Sequence, residues 1–139
     1  MEFITKSAEE TKRLGKKLAS NLAGGEVFAL SGDLGSGKTT FVQGFARGLG
    51  VTARIVSPTF ILMRKYATPE KNFYHVDLYR FEEKVEEEVI NLGLTDIWGR
   101  EENITIIEWA EKIKNLIPAV ATWIKFENLG GEKRKITFI

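Results

Sequence analysis

The spacing of apolar positions changes several times along the chain and predicts an alternation of strands and helices. Two uninterrupted apolar runs, 27–30 and 104–107, are typical of strands buried on both faces of a mostly parallel sheet. Apolar residues three and four positions apart predict helices between such runs. The predicted strands are 2–5, 27–30, 60–66, 72–79, 104–107, 122–126 and 135–139, and the predicted helices are 7–22, 38–49, 82–92 and 109–116.

Local signals set several of these boundaries. Ser7 followed by Glu10 forms a capping box, which predicts a helix beginning at this point. The glycine pair 24–25 predicts the end of that helix. Residues 67–71, which include a proline, predict the loop of an antiparallel hairpin between strands 60–66 and 72–79.

Composition narrows the possible classes of protein. The 139 residues are enough for one domain, predicted to span 1–139. Twenty Lys and Arg against 19 Asp and Glu leave a net charge of +1, so a polyanion must be bound locally rather than by the overall field. The absence of cysteine excludes disulfide partners, and His75 as the one histidine excludes poly-histidine metal sites. No apolar stretch reaches the roughly 18 residues of a membrane span, so we expect a cytoplasmic protein.

Residues 32–39, Gly-Asp-Leu-Gly-Ser-Gly-Lys-Thr, match the Walker A phosphate-binding loop. A chain of this composition matches that pattern by chance on the order of 0.01 times. The loop follows a predicted buried strand and precedes an amphipathic helix, which is the context the motif requires. Lys38 is expected to bridge the outer phosphates of a nucleotide, Thr39 to hold Mg²⁺ and Thr40 to reach the α-phosphate.

Acidic residues are expected opposite this loop, because Thr39 supplies only one neutral oxygen to a metal ion. Glu108 directly follows the buried run 104–107 and so lies at the carboxyl end of that predicted strand. In open α/β sheets, ligands bind beyond the carboxyl ends of the strands. The alternative is an acid that begins the next helix. Asp77 shares one strand face with His75 and Tyr79, and this polar stripe either faces a site or is the solvated side of a hairpin.

Two further segments have an ordinary structural interpretation beside a functional one. Thr59, in Ser-Pro-Thr-Phe at 57–60, is placed either in a loop that senses a γ-phosphate or in a simple turn, and its chemistry alone favours the turn. The glutamates of 82–88 form either a solvated helix face or a surface for a basic partner.

Four motifs follow one another along the chain: the loop at 32–40, Ser-Pro-Thr-Phe at 57–60, His-Val-Asp-Leu-Tyr-Arg at 75–80 and Ile-Glu-Trp at 107–109. Together they resemble one family of small bacterial P-loop ATPases, TsaE, which acts in tRNA threonylcarbamoyladenosine synthesis. The resemblance implies a P-loop NTPase-type three-layer α/β fold whose central sheet is mostly parallel with antiparallel hairpin additions. It also implies binding and slow hydrolysis of ATP with Mg²⁺, in a complex with TsaD and TsaB.

The resemblance also implies roles for individual residues. Gly35, Ser36, Gly37, Lys38, Thr39 and Thr40 would bind phosphates, and Thr39 with Glu108 would coordinate Mg²⁺. Lys38, Asp77, Glu108 and Thr59 fall on catalytic or switch-like positions. Ser7, Glu111 and Arg134 are candidates for the adenine end of the nucleotide.

The expected function is therefore an ATPase that resets a protein complex. A small-molecule kinase and a nucleotide-gated binding module without essential turnover remain alternatives, and direct contact with tRNA stays open. Release of phosphate without an acceptor distinguishes the ATPase from the kinase.

Overall fold

The computed structural model describes residues 1–56 and 63–139 and shows a seven-stranded sheet with helices on both faces. The strands are β1 Glu2–Thr5, β2 Val27–Ser31, β3 Met63–Ala67, β4 Asn72–Asp77, β5 Asn103–Glu108, β6 Thr122–Asn128 and β7 Arg134–Phe138. The helices are α1 Ala8–Ala19, α2 Lys38–Gly48 and α3 Val85–Asn91, with 3₁₀ turns at Leu94–Asp96 and Ala110–Ile113. Within residues 1–56 and 63–139, no helix is long and apolar enough to cross a membrane.

The sheet has a parallel centre and antiparallel edges. Its strand order is β1-β7-β6-β2-β5-β4-β3. β2 pairs in parallel with β5 and β6, and β4 pairs in parallel with β5. The pairs β1–β7, β6–β7 and β3–β4 are antiparallel. The predicted α/β class, with a mostly parallel centre and added hairpins, is confirmed.

Each face of the sheet buries its own apolar cluster, which accounts for the uninterrupted apolar runs in β2 and β5. Phe28 and Leu30 of β2 face α1 and α2, where they pack with Phe41 and Phe45. Ala29 and Val27 face α3 and the turn at Ala110–Ile113. A strand buried on both sides needs apolar residues at every position.

Helices α1 and α2 pack backbone against backbone. A Cβ atom added at Gly44 would lie 1.9 Å from the carbonyl oxygen of Lys12, and one added at Gly15 would lie 2.3 Å from that of Phe41. No side chain tolerates such distances. The two helices therefore approach each other through a reciprocal pair of glycines.

Three helix predictions need correction. The predicted helix 109–116 is wrong, since Trp109 takes a left-handed backbone conformation (φ 61°) and only a 3₁₀ turn follows. The first helix ends at Ala19 rather than 22, and the third covers Val85–Asn91 rather than 82–92 because Lys84 is also left-handed (φ 52°). The capping box is present in altered form. Ser7 Oγ accepts from the Glu10 amide at 3.1 Å, but the Glu10 carboxylate accepts from the amide of Lys6.

Candidate active site

A cavity of about 470 Å³ opens at the carboxyl ends of β2, β4 and β5. Because these strands are parallel neighbours, their carboxyl ends lie at one edge of the sheet, where open α/β folds bind ligands. The loop from β2 to α2, Asp77 and Glu108 at the ends of β4 and β5, and Arg134 of β7 all line it. The topology therefore brings together the loop, both predicted carboxylates and Arg134.

The loop wall depends on a glycine that no other residue replaces. Gly32 has a φ of 140°, and a Cβ atom there would lie 2.5 Å from the carbonyl oxygen of Phe126. Gly37, also left-handed (φ 99°), precedes the first residue of α2. The loop thus turns directly into a helix whose N-terminal amide groups and dipole favour a bound anion.

Lys38 is a buried cation held in place from several sides. Its Nζ donates to the carbonyl oxygens of Gly32 and Asp33, the latter at 3.1 Å, and lies 4.0 Å from the centroid of the Trp109 ring. Burial lowers the pKa of its ammonium group below the ordinary value, and the negative charges of nearby carboxylates, led by Glu108, oppose that shift. The cation is therefore largely desolvated and positioned at the cavity wall.

A chain of hydrogen bonds connects the loop to β4 through Glu108. The hydroxyl of Thr39 donates to Glu108 Oε1 at 3.1 Å. On its other side, Glu108 Oε2 lies 2.5 Å from Nε2 of His75. His75 is fully buried and Glu108 is 2% exposed. Since an ionised carboxylate only accepts hydrogen bonds, Nε2 carries the proton, and His75 fixes the orientation of the carboxylate toward Thr39.

Asp77 and an aromatic pair, Tyr79 and Trp109, also line the cavity. Asp77 ends β4, and its Oδ1 accepts from the Tyr79 amide at 3.0 Å. The rings of Tyr79 and Trp109 lie 5.3 Å apart, and Lys112 Nζ donates to the carbonyl oxygen of Tyr79 at 2.8 Å. The Trp109 ring also covers Lys38, a contact that no local pattern predicts. The Ile-Glu-Trp motif singled out Trp109 but not this contact.

The remaining predicted residues lie in different places. Arg134 lines the cavity beside Gly37, and Glu111 Oε2 lies 3.5 Å from the Gly32 amide. Ser7 caps α1 and is not one of the described residues that line the cavity. Thr59 lies outside the described residues. The roles assigned to these four residues remain predictions.

Comparison with known proteins identifies the family. A family model described as "Threonylcarbamoyl adenosine biosynthesis protein TsaE" matches residues 5–136. The chain belongs to the TsaE family. The resemblance carried by the four motifs is thereby confirmed.

Individual relatives cover nearly the whole chain. The TsaE protein of Bacillus subtilis (strain 168), described as a tRNA threonylcarbamoyladenosine biosynthesis protein, is 38% identical over 99% of this chain and 84% of its own length. TsaE of Rickettsia bellii (strain RML369-C) is 40% identical over 96% of this chain and 90% of its own length. The crystal structure of YdiB from Bacillus subtilis superposes with a TM-score of 0.80 at 33% identity, covering 99% of this chain and 83% of that one.

The donor atoms of this TsaE chain suit Mg²⁺. Within residues 1–56 and 63–139, no group of three His, Cys, Asp or Glu side chains is placed to hold a metal ion. Mg²⁺ needs no such group, because it keeps several waters and binds through one or two carboxylates together with nucleotide phosphates. The Thr39 hydroxyl and the Glu108 carboxylate, which are already in contact, are hard oxygen donors of this kind.

Proposed function

We propose that this chain binds ATP with Mg²⁺ in the cavity and hydrolyses it slowly to support tRNA threonylcarbamoyladenosine biosynthesis. One observation carries the proposal. The Walker A loop, the buried Lys38 and two acidic residues, Asp77 and Glu108, line a single cavity. The names of the TsaE relatives supply the biosynthetic context.

Each residue has a role that follows from its position. The loop amides and Lys38 would bind the phosphates, and the desolvated ammonium would stabilise charge that develops on them during hydrolysis. Thr39 and Glu108 would hold Mg²⁺, which neutralises phosphate charge when bound. Asp77, which lines the same cavity, would orient the attacking water.

Phosphate release should test this directly. Lys38→Ala is expected to reduce ATP hydrolysis about 100-fold or more, because it removes the cation that stabilises the transferring phosphate. Lys114→Ala, at an exposed lysine outside the cavity, is the matched control and should keep the wild-type rate. Equal rates for wild type and Lys38→Ala would refute the assignment of this site.

The assay also separates the alternative functions. An ATPase releases phosphate in the absence of any acceptor, whereas a kinase requires one. In a nucleotide-gated binding module, bound ATP would change the affinity for a partner without any need for hydrolysis. Partner binding is therefore measured in the presence of ATP, of ADP and of a non-hydrolysable analogue.

The proposed partners are TsaD and TsaB, which the family resemblance implies. Co-purification with TsaD and TsaB, with and without Mg·ATP, tests the partnership. Recovery of neither protein under any nucleotide condition would contradict it.

A further inference from the structure

A second cavity, of about 450 Å³, lies on the helical face and is bounded by α1, α2 and the segment that follows α2. We call it the basic groove and define it by its five cationic side chains, Lys12, Arg13, Lys16, Arg47 and Arg54. The nucleotide motifs do not include any of these residues. Lys12, Arg13 and Lys16 lie together on α1, whereas Arg47 and Arg54 come from α2 and the segment after it, so only the packed fold brings all five together.

The groove concentrates positive charge in a chain that is almost neutral overall. Among its described lining residues there is one carboxylate, Glu9, whose Oε1 lies 3.8 Å from Lys12 Nζ in a solvent-exposed pair. Lys12 and Lys16 are one helical turn apart, where like charges repel. A multivalent anion would relieve this repulsion and gain from the local field.

Part of the groove is already ordered. Arg47 Nη1 donates to the carbonyl oxygens of Val51 at 2.9 Å and Thr52 at 3.0 Å. These bonds fix one guanidinium group beside the groove. Binding at this guanidinium group would cost less side-chain entropy than binding at a mobile arginine, because Arg47 is already ordered.

The described residues that line the groove offer charge with little apolar surface. Among them Ile55 is the one large apolar side chain, and it is only 3% exposed. Protein interfaces are depleted of charged residues at their core and are apolar there, whereas nucleic-acid interfaces are polar and strongly positive. Arginine also matches the geometry of a phosphate group through paired N–H donors. These features favour a phosphodiester backbone over an acidic protein.

We propose that the basic groove binds the phosphate backbone of RNA. It uses the part of α2 from Gln43 to Arg47, which begins five residues and ends nine residues beyond Lys38. At 1.5 Å per residue, Arg47 lies about 14 Å along the helix from Lys38. The groove is thus distinct from the active-site cavity. Only the choice of tRNA as the RNA rests on the proposed function.

The test measures binding of an unmodified, fluorescently labelled tRNA transcript by anisotropy at several salt concentrations. Arg13→Ala/Lys16→Ala removes two exposed groove cations. Its affinity should fall about 10-fold or more at low salt, and the slope of log affinity against log salt should become shallower by roughly two. Lys114→Ala/Lys125→Ala removes the same charge from exposed lysines outside both cavities and should change affinity less than about 3-fold.

Two results would overturn the proposal. Equal weakening by both double variants would show that RNA responds to overall charge and not to the groove. Polyglutamate that binds wild type as tightly as the transcript, at equal charge, would assign the groove to acidic proteins. Phosphate release measured on the same preparations tests the ATPase proposal separately from the RNA proposal. Arg13→Ala/Lys16→Ala should hydrolyse ATP at the wild-type rate, because both residues lie outside the active-site cavity. Absent hydrolysis in wild type would refute the ATPase without altering the RNA result.

Discussion

Helix α2 contributes to two cationic surfaces that differ in how they are built. At its N-terminus, a single desolvated lysine lies among hydrogen-bond acceptors, carboxylates and an aromatic ring. Further along, Arg47 joins four other cations in the basic groove, among which Arg13, Lys16 and Arg54 are exposed. The first surface depends on the geometry of a few fixed groups, and the second depends on the number of charges. Ligand binding at each surface should therefore be weakened by a different perturbation.

Salt should separate the two surfaces most strongly. Between about 50 mM and about 200 mM salt, RNA affinity is expected to fall a few hundred-fold, on the order of 100–500-fold, because about five phosphate contacts release counterions. ATP affinity should change only a few-fold, since charges in a partly buried site are screened less. Parallel titrations of the wild-type protein with labelled transcript and with ATP measure both. If log affinity fell with log salt at the same slope for RNA and for ATP, the two surfaces would not differ in how strongly binding depends on the number of charges.

Loss of the His75 hydrogen bond should impair the active-site cavity and leave the basic groove unchanged. His75→Phe leaves Glu108 without the donor that orients it, so the Mg²⁺ concentration for half-maximal ATP hydrolysis should rise about 10-fold or more. His75→Gln keeps a donor and should recover part of the loss. Hydrolysis measured across a Mg²⁺ series provides the readout.

A purely structural role for His75 predicts a different pattern. Both variants would then lose stability and maximal rate together, with no change in the Mg²⁺ requirement. RNA binding serves as the internal control, because the histidine lies on β4, away from the basic groove. It should keep its wild-type value in both variants.

The smallest effect concerns the protonation of Lys38. Burial lowers the pKa of its ammonium group in the fold, whereas the unfolded chain keeps the ordinary value of 10.5. Between those two values the native state binds fewer protons than the unfolded state, so the free energy of unfolding rises with pH. Wild type should therefore gain stability relative to Lys38→Met as the pH rises toward 10.5. Urea unfolding of both proteins across that interval measures it, and parallel pH profiles would show that Lys38 is not desolvated.

The sequence predicted features whose determinants are local. The buried runs of β2 and β5, the loop after β2 and the start of α2 each have their own signal in neighbouring residues. Glu108 was placed correctly at the carboxyl end of a strand for the same reason. Local patterns suffice where one element or one turn determines the position of a side chain.

Features that depend on distant parts of the chain were missed. The helix predicted at 109–116 fails because Trp109 takes a left-handed conformation, with its ring over Lys38 and beside Tyr79. Neither contact is encoded in the spacing of the apolar residues. The basic groove combines cations from α1, α2 and the following segment, so its charge appears only after the two helices pack.

The reciprocal glycine contact between α1 and α2 has a mechanical consequence. At these two contacts the carbonyls of Lys12 and Phe41 lie where side chains would otherwise be. A larger residue at Gly15 or Gly44 would meet backbone atoms, which cannot rotate out of the way as a flexible side chain can. Either substitution would therefore have to displace a whole helix, and with it the position of α1 relative to the helix that begins at the phosphate-binding loop.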